Sequence, residues 1–162
     1  MWKRMGIAAL ITLAVTACGQ ANPPADQAAL PGENPIEEAD AKMKRTMTVE
    51  TADGQRITFL LNDSPAADSL YAQLPASFPV ENYSSNEKIF YPARRLDTEG
   101  SVKAVSGAAG TLAYYAPWGN VVMFYGPFRP NGELYELGQY LQGDLPVEAL
   151  AGEVRVTRDG TE

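Results

Sequence analysis

The segment AYYAPWGN holds the densest group of side chains able to recognise another molecule: Tyr114, Tyr115, Trp118 and Asn120, set around Pro117 and Gly119. Pro fixes φ and Gly tolerates backbone angles closed to other residues, so this turn has a defined shape. On an extended chain Tyr114 and Tyr115 point to opposite faces, one toward a core and one outward. Trp118 then offers a stacking face and Asn120 a donor and an acceptor, the makings of a groove wall. The same residues also suit an aromatic plug that closes one end of a small core. A second group follows the strand-like run ending in Tyr91. Arg94 or Arg95 can present a guanidinium to a carboxylate or carbonyl, and Tyr91 and Lys88 can share that groove. Alternatively, Arg94, Arg95, Asp97 and Glu99 form a solvated loop whose ion pairs contribute roughly 0–1 kcal/mol.

Other chemistry is excluded or weakly signalled. The 162 residues contain no His and one Cys. This removes Ser-His-Asp triads, His-paired thiolates, His-ligated zinc, internal disulfides and Cys-rich clusters. Ser101 and Lys103 lack the strand–turn context of a hydrolase nucleophile. The run Gly107–Gly110 lacks the Lys and following helix of a phosphate cradle. Glu133 and Glu136 read as surface charge, and no metal or cofactor is expected. With 13 basic against 20 acidic residues the net charge is −7. Such a body repels phosphate backbones, so nucleic acid is not an expected partner.

The sole Cys belongs to an address signal. Lys3 and Arg4 precede an apolar run, GIAALITLAV, that is too short to span a bilayer as a helix, which needs about 20 residues. Val15-Thr16-Ala17-Cys18 follows and resembles the lipobox of bacterial lipoproteins. That resemblance implies a signal peptide over 1–17, lipid on Cys18 and anchoring in a bilayer. With Gly19-Gln20 next, it further implies the outer membrane, facing the periplasm, of a diderm host. Cleavage removes two basic residues and no acidic one, so the mature chain is still more negative. Residues 18–45, rich in Ala, Pro, Gly and acid, cannot bury enough surface to order themselves and read as a linker.

The elements that must position the candidate residues lie in 46–158, with 159–162 as a tail. Thr46–Thr51 and Gln55–Leu61 alternate as strands around an Asp53-Gly54 turn. Asn62-Asp63-Ser64-Pro65 is a helix start, Ala66–Leu74 carries helical spacing, and Pro75 ends it. Phe78–Tyr83, Lys88–Tyr91, Gly110–Tyr115, Asn120–Tyr125, Leu134–Leu141 and Glu153–Arg158 read as strands. Gly138 suggests a bulge, and Leu145–Leu150 a short helical turn. Many short strands separated by turns predict a mainly β, closed or nearly closed antiparallel barrel, with the helix and the helical turn capping its two ends.

Four stretches sharpen this reading: LLNDSPAADSLYAQLP, EKIFYPARRLDTEG, GTLAYYAPWGNVVMFYG and ELYELGQYLQG. They resemble the bacterial cyclophilin-like fold proteins, and the resemblance implies a barrel of about eight strands. The true cyclophilins are proline isomerases that use an Arg, groove donors and aromatics. Their Phe-His-Arg strand motif is absent here, so the fold carries over and the chemistry does not. The expectation is a non-catalytic envelope module binding an unknown peptide or small molecule, with Tyr91, Arg94, Arg95, Tyr115, Trp118 and Asn120 as groove candidates. The alternative is a divergent periplasmic prolyl isomerase.

Overall fold

A computed structural model describes residues 45–159. The expected signal peptide, Cys18 and the linker therefore lie outside the described residues, apart from Arg45. Eight strands are present: β1 Thr46–Glu50, β2 Arg56–Leu61, β3 Ala76–Asn82, β4 Glu87–Phe90, β5 Thr111–Tyr115, β6 Asn120–Phe124, β7 Leu134–Gly143 and β8 Gly152–Arg158. They close in the order β1-β2-β7-β5-β6-β4-β3-β8, with every pairing antiparallel. Closure leaves no unpaired edge between the first strand and the last.

Alternation sends one face of each strand inward. Met47, Val49, Ile57, Phe59, Leu112, Tyr114, Val121, Met123, Val154 and Val156 fill the barrel and are at most 1% exposed. Helix α1, Pro65–Tyr71, adds Ala66, Ala67 and Leu70 to this core at one end. The 3-10 turn Val147–Ala149 lies between the end of β7 and the start of β8, at the other. The Ser64 side chain caps α1 by accepting from the Ala67 N–H, as the Ser-Pro pair leads one to expect. The Ser101 hydroxyl accepts from the Ala66 N–H at 2.9 Å. Ser101 is thus occupied in holding the helix start, and it forms no pair with Lys103.

Two details differ from the sequence reading. The α-helix stops at Tyr71 rather than Leu74; the next three residues turn through i→i+3 bonds, Gln73 N–H to Leu70 and Leu74 N–H to Tyr71. Pro75 offers no N–H and disfavours helix at the residue before it. Gly138 is not itself bulged. It stays paired with Leu61 and with Leu112, while the register skips Leu141 against β2 and Leu137 against β5. Its lack of a side chain serves close backbone approach instead: a Cβ there would lie 2.1 Å from the Leu60 carbonyl oxygen.

One outer face of the barrel is covered. The connections β4–β5 and β6–β7 run back along the outside, and Ala104 and Phe128 pack there on Ile89, Ala113, Val122, Phe124 and Leu134. Backbone bonds hold this cover: Ala104 N–H to Leu134, Glu136 N–H to Val102 and Phe128 N–H to Gly107. An isolated bridge between Lys103 and Tyr135 adds to this contact. The Lys103 ammonium sits 3.3 Å from the Tyr135 ring centre and donates to the Gly132 carbonyl. The Tyr135 hydroxyl is held below its ordinary pKa, first by the neighbouring Lys103 and then by Thr98.

Gly138→Ala is expected to lower stability by about 3 kcal/mol or more, since two backbones must separate to admit the methyl. Urea unfolding measures it, and an unchanged midpoint would contradict the packing described for β7.

Candidate functional site

Strand β6 carries Asn120, Val122 and Phe124 on its outer face. The cover over that face leaves a trough of about 220 Å³ along the strand, room for roughly seven waters at about 30 Å³ each. Val122 and Phe124 form its floor, with Leu134 beside them. Tyr115, Trp118 and Tyr83 supply aromatic walls. Their rings meet edge to face, 5.5 Å between the Tyr115 and Trp118 centres and 4.9 Å between Tyr83 and Trp118. Three polar side chains, Glu87, Asn120 and Asn131, complete the lining.

The turn that presents Trp118 is held from behind. Gly119 takes a φ of 74°, a left-handed conformation that suits Gly, and its N–H bonds to the Tyr115 carbonyl. The Arg95 guanidinium donates to the Ala116 carbonyl at 2.7 Å and the Pro117 carbonyl at 3.4 Å. Tyr114 is 1% exposed, and its hydroxyl accepts from the Leu96 N–H at 3.3 Å. Trp118 itself is 47% exposed, so this bracing sets the position of an open aromatic face.

Of the residues singled out in the sequence, the structure brings Tyr115, Trp118 and Asn120 together in the trough. Tyr114 and Tyr115 divide between core and outer face, as strand alternation requires. Arg94, Arg95 and Tyr91 do not line it. Arg95 is committed to the turn carbonyls, and the Arg94 backbone is clamped by the Gln73 side chain, whose Oε1 accepts from the Arg94 N–H and whose Nε2 donates to its carbonyl. Tyr91 lies exposed beyond the end of β4. Lys88 alternates with the outward Ile89 and pairs with the inward Met123, so it faces away from the trough. Sequence reasoning missed Tyr83, Glu87, Val122, Phe124, Asn131 and Leu134. Phe124 and Val122 had a signal: β6 is apolar on both faces, the pattern of a strand covered on both sides.

Two groups in the trough are poorly satisfied. Asn120 is 2% exposed, yet its Oδ1 accepts no hydrogen bond among the described residues. A buried amide oxygen without a donor costs about 1–3 kcal/mol. Glu87 lies opposite Phe124 in the register, four residues along β6 from Asn120, or about 13 Å by strand rise. Burial raises the pKa of its carboxyl above the ordinary value. The polar groups thus sit toward the two ends of an apolar, aromatic-walled trough, with the means to fix a ligand's orientation.

A closed eight-stranded antiparallel barrel, capped by one helix and one 3-10 turn and bearing a trough on its outer face, defines the protein class. The chain belongs to the cyclophilin-like family, whose model matches residues 51–158. Among solved structures it is similar to the hypothetical protein AF2241 from Archaeoglobus fulgidus, at 15% identity and TM-score 0.54, covering 71% of this chain and 95% of that one. It is also similar to McbB, solved in complex with tryptophan, at 16% identity and TM-score 0.53, covering 72% of this chain and 45% of McbB. At such identities the likeness is one of fold. No curated protein matches.

Asn120→Leu should raise the stability of the ligand-free protein by about 1 kcal/mol, because it removes a buried amide oxygen that has no donor, at similar volume. A loss of more than about 1 kcal/mol in chemical denaturation would show that the amide is structurally partnered. Glu87 provides a second check. Its folded pKa is raised, so its contribution to stability is full below the ordinary carboxylate pKa and is lost as pH rises through the raised one. Glu87→Gln should flatten that part of the stability–pH curve, and an identical curve for the variant would contradict the desolvation of Glu87.

Proposed function

We propose that this chain is a non-catalytic binding module, which holds a small ligand or a peptide side chain in the trough over β6 and is tethered to the cell envelope through lipid on Cys18. The observation that carries the binding reading is the open aromatic-walled trough, with Asn120 Oδ1 left without a donor at its edge. A buried polar atom without a partner calls for an explanation, and an adjoining binding site is one. The aromatic walls supply contact area at low entropy cost, and the small volume matches a metabolite or a single side chain rather than a folded partner. The lipobox-like segment supports an envelope location, and Gly19-Gln20 after it the outer membrane in a diderm host.

This reading is preferred to a divergent prolyl isomerase because no Arg or Lys lines the trough, and the Arg95 guanidinium donates to turn carbonyls. An electrostatic isomerase needs donors aimed at the twisting amide.

A protease-coupled proline isomerisation assay is expected to give the background rate; a rate above it that is lost in Arg95→Ala would reverse the assignment. Binding is tested by a screen of metabolites and short peptides, read by the melting temperature and the Trp118 indole resonance. Hits should weaken in Trp118→Ala, and the absence of any response across a broad set would count against a binding role. For the tether, Cys18→Ser should move the protein from the membrane to the soluble fraction, and continued membrane retention would refute lipid anchoring.

A further inference from the structure

We propose that the trough takes an organic ammonium ligand: an amine on a small apolar or aromatic body, the nitrogen set against Glu87 and the body lying over Val122 between the aromatic walls. The inference rests on the binding reading above and adds the ligand's chemical class.

Charge decides it first. Glu87 is the one ionisable acid among the lining residues, and no Lys or Arg lines the trough. Its carboxylate makes no ion pair or hydrogen bond with any described residue. A carboxylate moved partly out of water with nothing opposite it is unfavourable unless a cation arrives. Desolvation as the cause of its raised pKa agrees with an empty counter-charge position. An anionic ligand would meet this carboxylate and a chain of net charge −7.

The walls point the same way. Aromatic faces attract cations through their quadrupole, Trp most strongly, and Trp118 and Tyr83, both about half exposed, line the same trough as Glu87. Toward the far end, Asn120 and Asn131 add polar lining. The floor of Val122 and Phe124 asks for an apolar middle. A trough of about 220 Å³ limits the ligand to a small amine or to one amine-bearing residue at a peptide end. The two sources share one chemistry.

The test uses the full-length chain, isotopically labelled, and follows the Trp118 indole N–H and the Asn120 side-chain amide by NMR. Two matched pairs are titrated. One is phenethylamine against phenethyl alcohol; the other is a Phe-Ala-Ala peptide amide with a free N-terminus against its N-acetylated form. In at least one pair the charged member should bind about tenfold or more tightly than its neutral partner, the order expected for a hydrogen bond to a charged group. Glu87→Gln should bring its affinity down to that of the partner, and the pair with the tighter charged member identifies free amine or peptide as the source. Equal affinity within both pairs overturns the ammonium assignment and leaves the binding trough standing. If none of the four ligands shifts either resonance, the ammonium assignment and the reading of this trough as a binding site both fall.

Discussion

Strand β6 is buried on both faces, and the site follows from that constraint. Its inner residues, Val121 and Met123, belong to the barrel core. Its outer residues would meet water in a bare barrel, yet Val122 and Phe124 are apolar. The chain covers them with two long connections, fastened to β7 and to each other by backbone bonds. Covering apolar surface contributes about 25 cal/mol per Å², which favours seating those loops. The cover stops short along β6, and the remaining opening is the trough. Asn120 stands at one end of this doubly buried strand as its lone polar residue, and its unpaired oxygen is a consequence of that position.

The site and the stability of the barrel therefore pull in opposite directions. Arg95, Tyr114 and Gly119 spend their interactions on holding one turn, so that Trp118 can stand half exposed at a fixed place. The Glu87 carboxyl and the Asn120 Oδ1 lose hydration without gaining partners among the described residues. Local departures of this kind, within a fold whose other strands follow simple alternation, concentrate where a protein meets a ligand. Among the lining residues, Glu87, Asn120 and Asn131 offer polar groups and Tyr83, Tyr115 and Trp118 offer aromatic faces.

Much of the barrel was legible because its rules are local. The alternation of Met47 and Val49, or Ile57 and Phe59, states which face is inside, and Ser64-Pro65 states where the helix begins. The split between Tyr114 and Tyr115 followed from the two-residue period alone. The trough was half legible. Tyr115, Trp118 and Asn120 are neighbours in sequence and remain neighbours in space. Tyr83 and Glu87 reach them only because β3, β4 and β6 pair in one particular register, and Asn131 and Leu134 only because a connection folds back over the sheet. No periodicity encodes those meetings. Arg95 reads differently for a related reason: a guanidinium beside an aromatic turn looks like a ligand donor until backbone carbonyls of that turn are found to accept from it. Gly138 was recognised as special, but the sequence could not distinguish a bulge from a close approach of two backbones.

The most direct measurement is a high-resolution crystal structure grown with saturating phenethylamine. The account predicts density along β6, with the ring over Val122 beside Trp118 and the nitrogen within hydrogen-bond distance of the Glu87 carboxylate. An empty trough, or a ring seated there with its amine turned to solvent and away from Glu87, would contradict it.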